Sequence, residues 1–498
     1  MTADAPEDLA ARAAERHVVV VGGGIGGLVA ARECAKVGMR VTLLEAAPEL
    51  GGAIRRADLG GVAIDAGAES YATRGGHVRR LVDELGLTSD IVAPDPAGAW
   101  LVGAPGAAAA PLPKGGILGI PASPFADDVR RVIGWGGAWR AYLDRLRPPL
   151  TIGQEKSLGR LVEKRMGKKV RDLLVAPVTA GVYSADPDDV DTDIAAPGLN
   201  AALTRTGSLS GAVAQLIAER TERADRAKTA PGSAVQALAG GMTTLVDALA
   251  ADAATLGAEI RTGTVVAELS KDAAGWRVVL AVESDADGAP ASADADPEII
   301  LADAVIVATE EPAARALLAG HVPDLGPAAE APQIEIVSLL LDAPALDAAP
   351  RGTGVLTVPG ARAAKALTHA TAKWEWLRAA AGGRHVVRVS FGSQGEPAAT
   401  RDLDDDAAAS LALAEASELL GVPLPDGALA ASVRARFTQS QPASLIGAGD
   451  RRRAVRVAVQ KVDGLAAVGA WLSGTGLAQV VPDAADEADR LRRALLWG

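Results

Sequence analysis

A short apolar run that ends in a glycine-rich turn constrains this chain more than any other feature of its sequence. Residues 18–21 are valines, and Gly22, Gly24 and Gly27 follow in a G-x-G-x-x-G pattern that leads into a helical pattern at 28–31. In this context the first glycine permits a tight turn, the second lets a phosphate approach the backbone, and the third lets helix and strand pack closely. The helix N-terminus also offers free N–H groups to an anion. The segment therefore predicts a buried strand, a helix and a dinucleotide site between them.

Glu45 and a second glycine pair narrow the choice of dinucleotide. Glu45 ends a second predicted strand at 40–45, about 20 residues past the glycine pattern, where an acid can accept hydrogen bonds from ribose hydroxyls. The alternative is a solvated carboxylate at the end of a strand. The pair Gly51-Gly52 is similar to the second glycine signature of flavin oxidases, where bare backbone passes close to the cofactor. We therefore expect FAD, although a basic residue usually follows those glycines and this chain has Ala53.

Composition and charge exclude several classes of protein. The chain has 498 residues, enough for roughly two to four domains. Its formal charge is −12 and its basic residues are scattered, so nucleic acid is not an expected partner. The single cysteine, Cys34, rules out an intrachain disulfide and a thiolate metal cluster and favours a packing role, and no metal site is predicted. Residues 1–16 resemble no signal or transit peptide, and no run of about 18 apolar residues occurs, so we expect a cytoplasmic protein without a transmembrane segment.

Downstream of the glycine motifs, several short segments have the character of strands. Residues 259–261, 265–269 and 276–280 predict the strands of a meander. Apolar strand character returns at 299–301 and 304–309. The distance of these segments from the first strand predicts that any sheet they share is built from distant parts of the chain.

Other segments predict helices, a loop and a second sheet. Residues 114–227 have mostly helical periodicity, which predicts an inserted helical subdomain, and the polar segment 284–297 predicts a loop. Alternation at 332–391 predicts a second sheet. Residues 402–420 predict an amphipathic helix, and 466–468 predict a last strand before a C-terminal helix.

An apolar group within the helical segment has two possible positions. It contains Ile133, Trp135, Trp139 and Tyr142. Such a group can touch a membrane surface, but it has no accompanying basic face. A place in the core or at the mouth of a cleft is therefore favoured.

Five further segments, with the glycine motifs, carry a resemblance to the protoporphyrinogen oxidase family of haem biosynthesis that runs almost end to end. These segments are 65–70, 176–187, 240–245, 366–374 and 469–476. The most particular is 177–187, which is similar to the family's P-x-x-x-G-V/I-Y-A-G-D-P stretch. Few other flavin oxidases carry this stretch together with the block at 366–374.

The resemblance implies an α/β fold in three parts. The first is a Rossmann-like FAD-binding domain, the second a substrate-binding domain built on an antiparallel sheet, and the third an inserted helical subdomain. The implied FAD-binding domain is discontinuous and comprises 1–75, 228–310 and 430–498, the substrate-binding domain comprises 76–110 and 311–429, and the insertion comprises 111–227.

The resemblance also implies which residues contact FAD. They lie in the first glycine loop, after the second strand, in the second glycine turn and the segment beyond it, near residue 265, and at the C-terminal glycines. The set is Gly22, Gly24, Ile25, Gly26, Gly27, Glu45, Ala46, Gly51, Gly52, Ala53, Gly67, Ala68, Glu69, Ser70, Val265, Trp471, Thr475, Gly476 and Leu477. Many flavin oxidases have an aspartate after the glycine that reaches the flavin ribitol, whereas Gly469 is followed by Ala470 here, so backbone N–H groups are expected to bind instead.

For the substrate, the resemblance points to Arg74, Gly181 and Tyr183. Arg74 would pair with a propionate, and its alternative is a surface arginine. Gly181 would lie where a side chain would strike the tetrapyrrole, or it is an ordinary turn glycine. Packing is favoured over chemistry for Tyr183. No catalytic residue is predicted, because the cofactor carries the redox chemistry.

The implied reaction is the oxidation of a porphyrinogen by repeated hydride transfer to flavin N5, with molecular oxygen regenerating the flavin and hydrogen peroxide as by-product. An Ala-, Gly- and Arg-rich composition without an organelle presequence favours the bacterial branch of the family, which converts coproporphyrinogen III to coproporphyrin III. Protoporphyrinogen IX is the alternative substrate. A transient contact with the next enzyme of the haem pathway is a further expectation. A flavin amine oxidase and a non-catalytic FAD- or haem-binding carrier stay open as other classes.

Overall fold

The computed structural model describes residues 6–106, 108–147, 155–226, 234–282, 296–328, 330–438 and 444–497. Most of the predicted loop 284–297 lies outside these residues. The strands, in chain order, are β1 (His17–Val21), β2 (Arg40–Leu44), β3 (Arg56–Leu59), β4 (Val62–Asp65), β5 (Tyr71–Ala72), β6 (Ile91–Val92), β7 (Ala99–Val102), β8 (Ala109–Pro111), β9 (Gly116–Ile117), β10 (Ile120–Pro121), β11 (Val235–Leu238), β12 (Glu259–Arg261), β13 (Val266–Asp272), β14 (Gly275–Leu280), β15 (Ile299–Ala302), β16 (Ala304–Val307), β17 (Gln333–Leu341), β18 (Gly354–Thr357), β19 (Ala366–His369), β20 (His385–Phe391), β21 (Leu429–Thr438) and β22 (Leu465–Ala467).

The helices occur in every part of the described chain. They are α1 (Pro6–Glu15), α2 (Ile25–Ala35), α3 (His77–Glu84), α4 (Asp127–Tyr142), α5 (Leu158–Met166), α6 (Lys168–Val170), α7 (Ala176–Tyr183), α8 (Thr192–Ala195), α9 (Leu199–Thr206), α10 (Leu209–Arg226), α11 (Thr243–Thr255), α12 (Glu311–Leu318), α13 (Ala370–Lys373), α14 (Glu375–Ala381), α15 (Asp405–Leu420), α16 (Ala448–Gln460), α17 (Ala470–Ser473) and α18 (Leu477–Trp497).

The strand β1 lies in the middle of a parallel sheet with the order β12-β2-β1-β16-β22. All of β1 is buried. Val18 and Val20 pack in one core with α2, whereas Val19 and Val21 pack in a second core with β14. Successive side chains of a strand point to opposite faces, and both faces of this sheet are covered, so the run must be apolar throughout. The predicted order of strand, glycine turn and helix is confirmed.

The strand β12 pairs in parallel with β2 at the edge of this sheet, so the prediction that 259–261 belongs to a meander is wrong. A strand of this length has too little alternation to reveal its partner. The meander is formed instead by β13, β14 and β15, which pair antiparallel. It covers the second face of the parallel sheet and includes the fully buried Trp276.

A second sheet has the order β21-β17-β20-β19-β18-β7-β8, which confirms the sheet predicted at 332–391. Its neighbours pair antiparallel except for β18 and β7, which are parallel, so the sheet is predominantly antiparallel, as expected. Alternation in β17 directs Val337 and Leu339 into a core with α15, and Ile334 and Ile336 into a cleft between the two sheets.

Two elements fall on a different side of the predicted domain boundaries. The strand β21 belongs to the second sheet through its pairing with β17, although 430–498 was expected to belong to the FAD-binding domain. In the other direction, Leu317 and Leu318 of α12 pack in a core with β1 and β16, although 311–429 was expected in the substrate-binding domain. Pairing and packing partners distant in the chain decide both placements. The three-part division itself stays a prediction.

The helical character predicted for 114–227 is confirmed by α4 to α10, which surround a core of their own. A short hairpin of β9 and β10 precedes them. Ile133 is buried there, whereas Trp135 and Trp139 are 60% and 56% exposed. A core position is therefore confirmed for Ile133, whereas the two tryptophans lie outside the core. Gly134, with φ of 69°, kinks α4 between Ile133 and the first of these tryptophans.

Cys34 is fully buried on α2, and burial raises the pKa of its thiol to about 12. Such a thiol packs like a small apolar side chain. Among the helices of the described residues, none is long and apolar enough to cross a membrane. The same residues contain no group of three or more His, Cys, Asp or Glu side chains placed to hold a metal ion.

Candidate functional site

A cleft of about 480 Å³ lies where the carboxyl ends of the parallel strands face the second sheet, the edge at which open α/β sheets bind ligands. One wall comes from the loops after β1 and β16, two turns of bare backbone, and the segment around α17. The opposite wall comes from α7 and the second sheet. Predicted FAD residues on the walls are Gly24, Ile25, Gly26, Gly51, Gly52, Ala53, Gly67, Ala68, Ser70, Trp471, Thr475, Gly476 and Leu477. Those outside the walls are Gly22, Gly27, Glu45, Ala46, Glu69 and Val265.

The three glycines of the first loop are required for different reasons. Gly22 has φ of +111°, and a Cβ there would lie 2.8 Å from the carbonyl group of Ala308. A Cβ on Gly27 would lie 1.9 Å from the carbonyl oxygen of Gly22. Gly24 differs, because a Cβ there would meet no atom within 4 Å and the residue lines the cleft. Gly22 and Gly27 let the strands and the helix approach each other, and Gly24 leaves space for a bound molecule.

Two further layers of backbone stack on this loop. The N–H of Gly51 donates to the carbonyl oxygen of Gly23 at 2.9 Å. A Cβ on Gly67 would lie 2.1 Å from the carbonyl oxygen of Ala53, which accepts a hydrogen bond from the N–H of Ala68 at 3.3 Å. The second glycine signature, Gly51-Gly52, therefore brings bare backbone to the wall of the cleft.

Glu45 lies beside the first loop and holds it in shape. The N–H of Gly23 donates to its Oε2 at 2.5 Å, and the N–H of Ala47 donates to its Oε1 at 2.8 Å. The N–H of Thr264 donates to the carbonyl oxygen of Glu45 at 2.8 Å, which brings the exposed Val265 next to it. Glu45 and Val265, distant in sequence, are thus neighbours at the outer end of the loop. Their contacts with ribose and adenine stay predictions.

The C-terminal side of the cleft presents polar groups that lack partners. Trp471 Nε1 and Thr309 Oγ1 are buried, line the cleft and have no hydrogen-bond partner among the described residues. A buried unpaired donor costs about 1–3 kcal/mol, which the polar atoms of a bound molecule would offset. Gly476 has φ of +114°, and a Cβ there would also meet nothing within 4 Å. Bare backbone, the N-termini of α2 and α18, and these donors fit a dinucleotide cofactor.

Glu69 is directed away from the cleft, into an ion cluster with the second sheet. Lys373 Nζ donates to its Oε1 at 2.5 Å, and Arg388 Nη1 donates to its Oε2 at 2.7 Å. Arg388 Nη2 also donates to the carbonyl oxygens of Gly67 at 2.6 Å and Ala66 at 3.2 Å. Burial alone would raise the pKa of Glu69, but Lys373 and Arg388 lower it to about 2. The carboxylate therefore fixes the backbone that lines the cleft, and it does not face the cofactor wall.

Of the three residues predicted for the substrate, Gly181 lines the cleft, whereas Tyr183 and Arg74 do not. Gly181 lines the cleft, and a Cβ there would lie 2.6 Å from Leu356 Cδ2 on the second sheet. Tyr183 packs against the helical core; burial raises its pKa, and the nearby cation of Arg74 opposes that shift. Arg74 is exposed and lies outside the walls of the cleft. Close packing on Leu356 is by itself a reason for glycine at 181.

Several polar residues of the cleft, Thr309 and Lys365 among them, were missed by reasoning from the sequence. Thr309 follows the apolar strand β16, and the position of β16 beside β1 carries it to the edge where the ligand binds. Lys365 precedes β19, and its Nζ donates to Ser184 Oγ at 2.7 Å. Burial lowers the pKa of Lys365 to about 8. The available signal was the position of Lys365 directly before the family-like block at 366–374.

The family follows from the match over almost the whole chain. Residues 25–491 match the family model described as flavin containing amine oxidoreductase. Together with the glycine-lined cleft at the edge of a parallel sheet, this match defines the class of protein: an FAD-dependent oxidoreductase.

Individual relatives narrow the class. Coproporphyrinogen III oxidase of Mycobacterium leprae (strain TN) is 30% identical over 402 residues, covering 78% of this chain and 80% of the relative. Coproporphyrinogen III oxidase of Bacillus subtilis (strain 168) is 26% identical over 487 residues, covering 95% and 96%. A crystal structure of a protein from Exiguobacterium sp. 255-15 shares the fold with a TM-score of 0.79 at 24% identity, covering 96% of this chain and 99% of that one. This chain belongs to the flavin containing amine oxidoreductases and, within them, to the protoporphyrinogen and coproporphyrinogen oxidase family.

Substitution of Gly24 tests the space left for the cofactor. We expect Gly24→Val to lower FAD affinity at least about tenfold, or about 1.4 kcal/mol, because the new side chain would occupy the cleft. The unfolding free energy of the cofactor-free protein should fall by no more than about 1 kcal/mol, the cost of a poorer helix cap. Gly27→Ala is the contrasting variant and should yield little folded protein, because its Cβ would strike the Gly22 oxygen. Flavin titration and urea unfolding measure both effects, and full FAD affinity in Gly24→Val would contradict this assignment.

Removal of the Glu45 carboxylate tests its role at the loop. We expect Glu45→Ala to purify with reduced FAD, with affinity lowered about tenfold or more, because two N–H groups lose a charged acceptor. Glu49→Ala, an exposed glutamate four positions further along the same segment, is the matched control and should keep its flavin. The measurement is the ratio of flavin to protein absorbance after gel filtration. An unchanged ratio in Glu45→Ala would contradict the prediction that Glu45 supports cofactor binding.

The ion cluster around Glu69 predicts a pH-dependent contribution to stability. Glu69→Gln should lower the unfolding free energy by about 3–5 kcal/mol near neutral pH, because two buried cations lose their carboxylate. The folded pKa of Glu69 lies below its ordinary value, so the wild-type advantage is complete above about pH 5 and shrinks as pH falls towards about 2. Urea unfolding at several pH values measures this difference. Glu268→Gln, at an exposed position on β13, is the control, and a difference that stays constant with pH would count against the cluster.

Proposed function

We propose that this protein oxidises coproporphyrinogen III to coproporphyrin III, with molecular oxygen as the electron acceptor and hydrogen peroxide as by-product. The reaction removes six hydrogens from the macrocycle in three two-electron steps, so three molecules of oxygen become three of hydrogen peroxide. When FAD is bound, it supplies N5 as the acceptor of each hydride. The observation that carries the proposal is a cleft with two unlike walls, one of bare backbone and one of apolar side chains.

The residues of the cleft support this reaction by shape and by exclusion of water. The backbone layers at 51–54 and 67–70 carry few side chains, so a flat ring system can lie directly against them. The opposite wall carries Ile334, Ile336 and Val182, which would cover the apolar face of a reduced macrocycle. A volume of about 480 Å³ is within the range of pockets that enclose cofactors and substrates. Polar groups that form no covalent bond in the reaction, such as Trp471 Nε1, would orient the bound molecules.

The names of the relatives and the charge of the substrate favour coproporphyrinogen III over protoporphyrinogen IX. The two relatives compared above carry the name coproporphyrinogen III oxidase, and one of them matches this chain over nearly its whole length. The two substrates differ in the number of propionates, four against two, so a protein specific for the first needs more cationic contacts around the cleft. Lys365 on the cleft wall and Arg74 nearby are candidates for such contacts.

An amine oxidase is the second candidate, because the family match bears that name. Enzymes of that kind usually surround the amine with several aromatic rings. Among the described residues that line this cleft, the aromatic side chains are Phe437 and Trp471. Arg55 stacks its guanidinium on the ring of Phe437, 4.5 Å from the ring centroid, so this ring already has a cationic partner. The porphyrinogen reaction is therefore favoured.

Direct assay of the purified holoenzyme tests the proposal. Coproporphyrinogen III should give a rise in porphyrin fluorescence and about three peroxides per porphyrin, with kcat/KM at least about tenfold higher than for protoporphyrinogen IX. Primary amines should give no peroxide. The flavin-poor Gly24→Val protein and a protein-free sample are the controls, the second for autoxidation. Fluorescence that rises no faster than in the protein-free sample with either porphyrinogen would leave a non-catalytic carrier as the better account.

A further inference from the structure

Lys365 is the one cationic side chain among the described residues that line the cleft. Glu310, at the end of the parallel sheet, is the other charged lining residue. Lys365 forms no ion pair within the part of the chain that the structure describes, whereas Lys373, on the helix α13 that follows β19, is paired with Glu69. An ammonium that is partly withdrawn from water without a counter-charge is costly, and this cost lowers the pKa of Lys365. The ammonium of Lys365 is therefore available to pair with an anion that enters the cleft.

The position of this ammonium is set by Ser184. Ser184 Oγ accepts the hydrogen bond from Lys365 Nζ at 2.7 Å, and Ser184 is itself buried on the cleft wall. Its φ of 52° is a left-handed conformation that non-glycine residues adopt only when their surroundings fix them. One such restraint is the N–H of Gln394, which donates to the carbonyl oxygen of Ser184 at 2.8 Å. A hydroxyl held in this way orients a flexible lysine, since it occupies one of its three N–H donors and leaves the others free to bind a ligand.

We propose that Lys365, oriented by Ser184, binds a carboxylate of the substrate and fixes which edge of the macrocycle enters the cleft. The inference rests on the proposed function and identifies the carboxylate as a propionate of the porphyrinogen. A propionate that enters this cleft leaves water for walls of glycine backbone and apolar side chains, and Lys365 offers it a charge-assisted hydrogen bond. Glu310 on the opposite wall repels carboxylates. The edge with the engaged propionate therefore lies at the wall of the second sheet, away from Glu310.

The two substrates for the test differ in charge and by four methyl groups. They are coproporphyrinogen III and its neutral tetramethyl ester, assayed with the FAD-loaded enzyme and with Lys365→Met, which removes the charge and keeps most of the length of the side chain. We expect KM for the tetra-acid to rise at least about tenfold in Lys365→Met, with kcat changed by less than about threefold and KM for the ester unchanged. Ser184→Ala should raise the same KM by a smaller factor, because the ammonium remains but is less well oriented.

Control measurements separate this role from others. Lys168→Met removes an exposed lysine of α6, which does not line the cleft, and should leave both kinetic constants unchanged. Flavin content and thermal midpoint establish that each variant is folded and loaded. A fall in kcat with both acid and ester would indicate that Lys365 accepts a proton, and an unchanged KM for the acid would show no carboxylate contact; either result would overturn the proposal.

Binding of the product distinguishes failure of this inference from failure of the proposed function. Coproporphyrin III needs no turnover, and its fluorescence reports its Kd for the holoenzyme. Tighter binding to wild type than to Lys365→Met by about tenfold, without oxidation of coproporphyrinogen III, would support the carboxylate site and reject the reaction. Normal oxidation with equal Kd for the two proteins would support the reaction and reject the site. No measurable binding to wild type and no oxidation would reject both.

Discussion

The close approach of backbone segments at the carboxyl edge of the parallel sheet is the constraint on which the rest of this structure depends. Gly27 lies so near the Gly22 carbonyl that no side chain fits between them, and Gly22 in turn lies against Ala308 of the neighbouring strand loop. Gly51 and Gly67 repeat the arrangement in two further layers. Because these contacts are between main chains, few side chains lie at this part of the edge, and free N–H groups and open space are left for a cofactor.

This edge is held to the second sheet by charge as well as by packing. Arg388 and Lys373, both from the second sheet and the helix beside it, meet the carboxylate of Glu69, and Arg388 also binds the carbonyl oxygens of residues 66 and 67. A buried ion cluster adds little to stability compared with an apolar core, but it fixes geometry, since each charged group has a strong preference for one set of partners. Here it links the segment at 66–69, beside one wall of the cleft, to the second sheet, which contributes to the other wall.

The sequence predicted those parts of the fold and site whose causes are local. The order of strand, glycine loop and helix, and the second glycine turn, follow from neighbouring residues, and both were recovered. Partners that are distant in the chain were not: the edge pairing of β12, the place of β21 in the second sheet, and the ion partners of Glu69 are decided by tertiary packing. Thr309 and Lys365 were missed for the same reason, because a single threonine or lysine beside an apolar strand carries no local signature of a cleft.

The two walls of the cleft tolerate substitution differently. A Cβ added behind the backbone wall, at Gly22 or Gly27, or on it, at Gly67, would meet main-chain atoms, so few substitutions fit there. The opposite wall consists of side chains from a sheet and from α7, where replacement of one residue changes shape or charge without moving the backbone. Lys365 and Ser184 belong to that second wall. A substitution on that second wall can therefore change the shape or charge of the cleft and leave the backbone of the first wall in place.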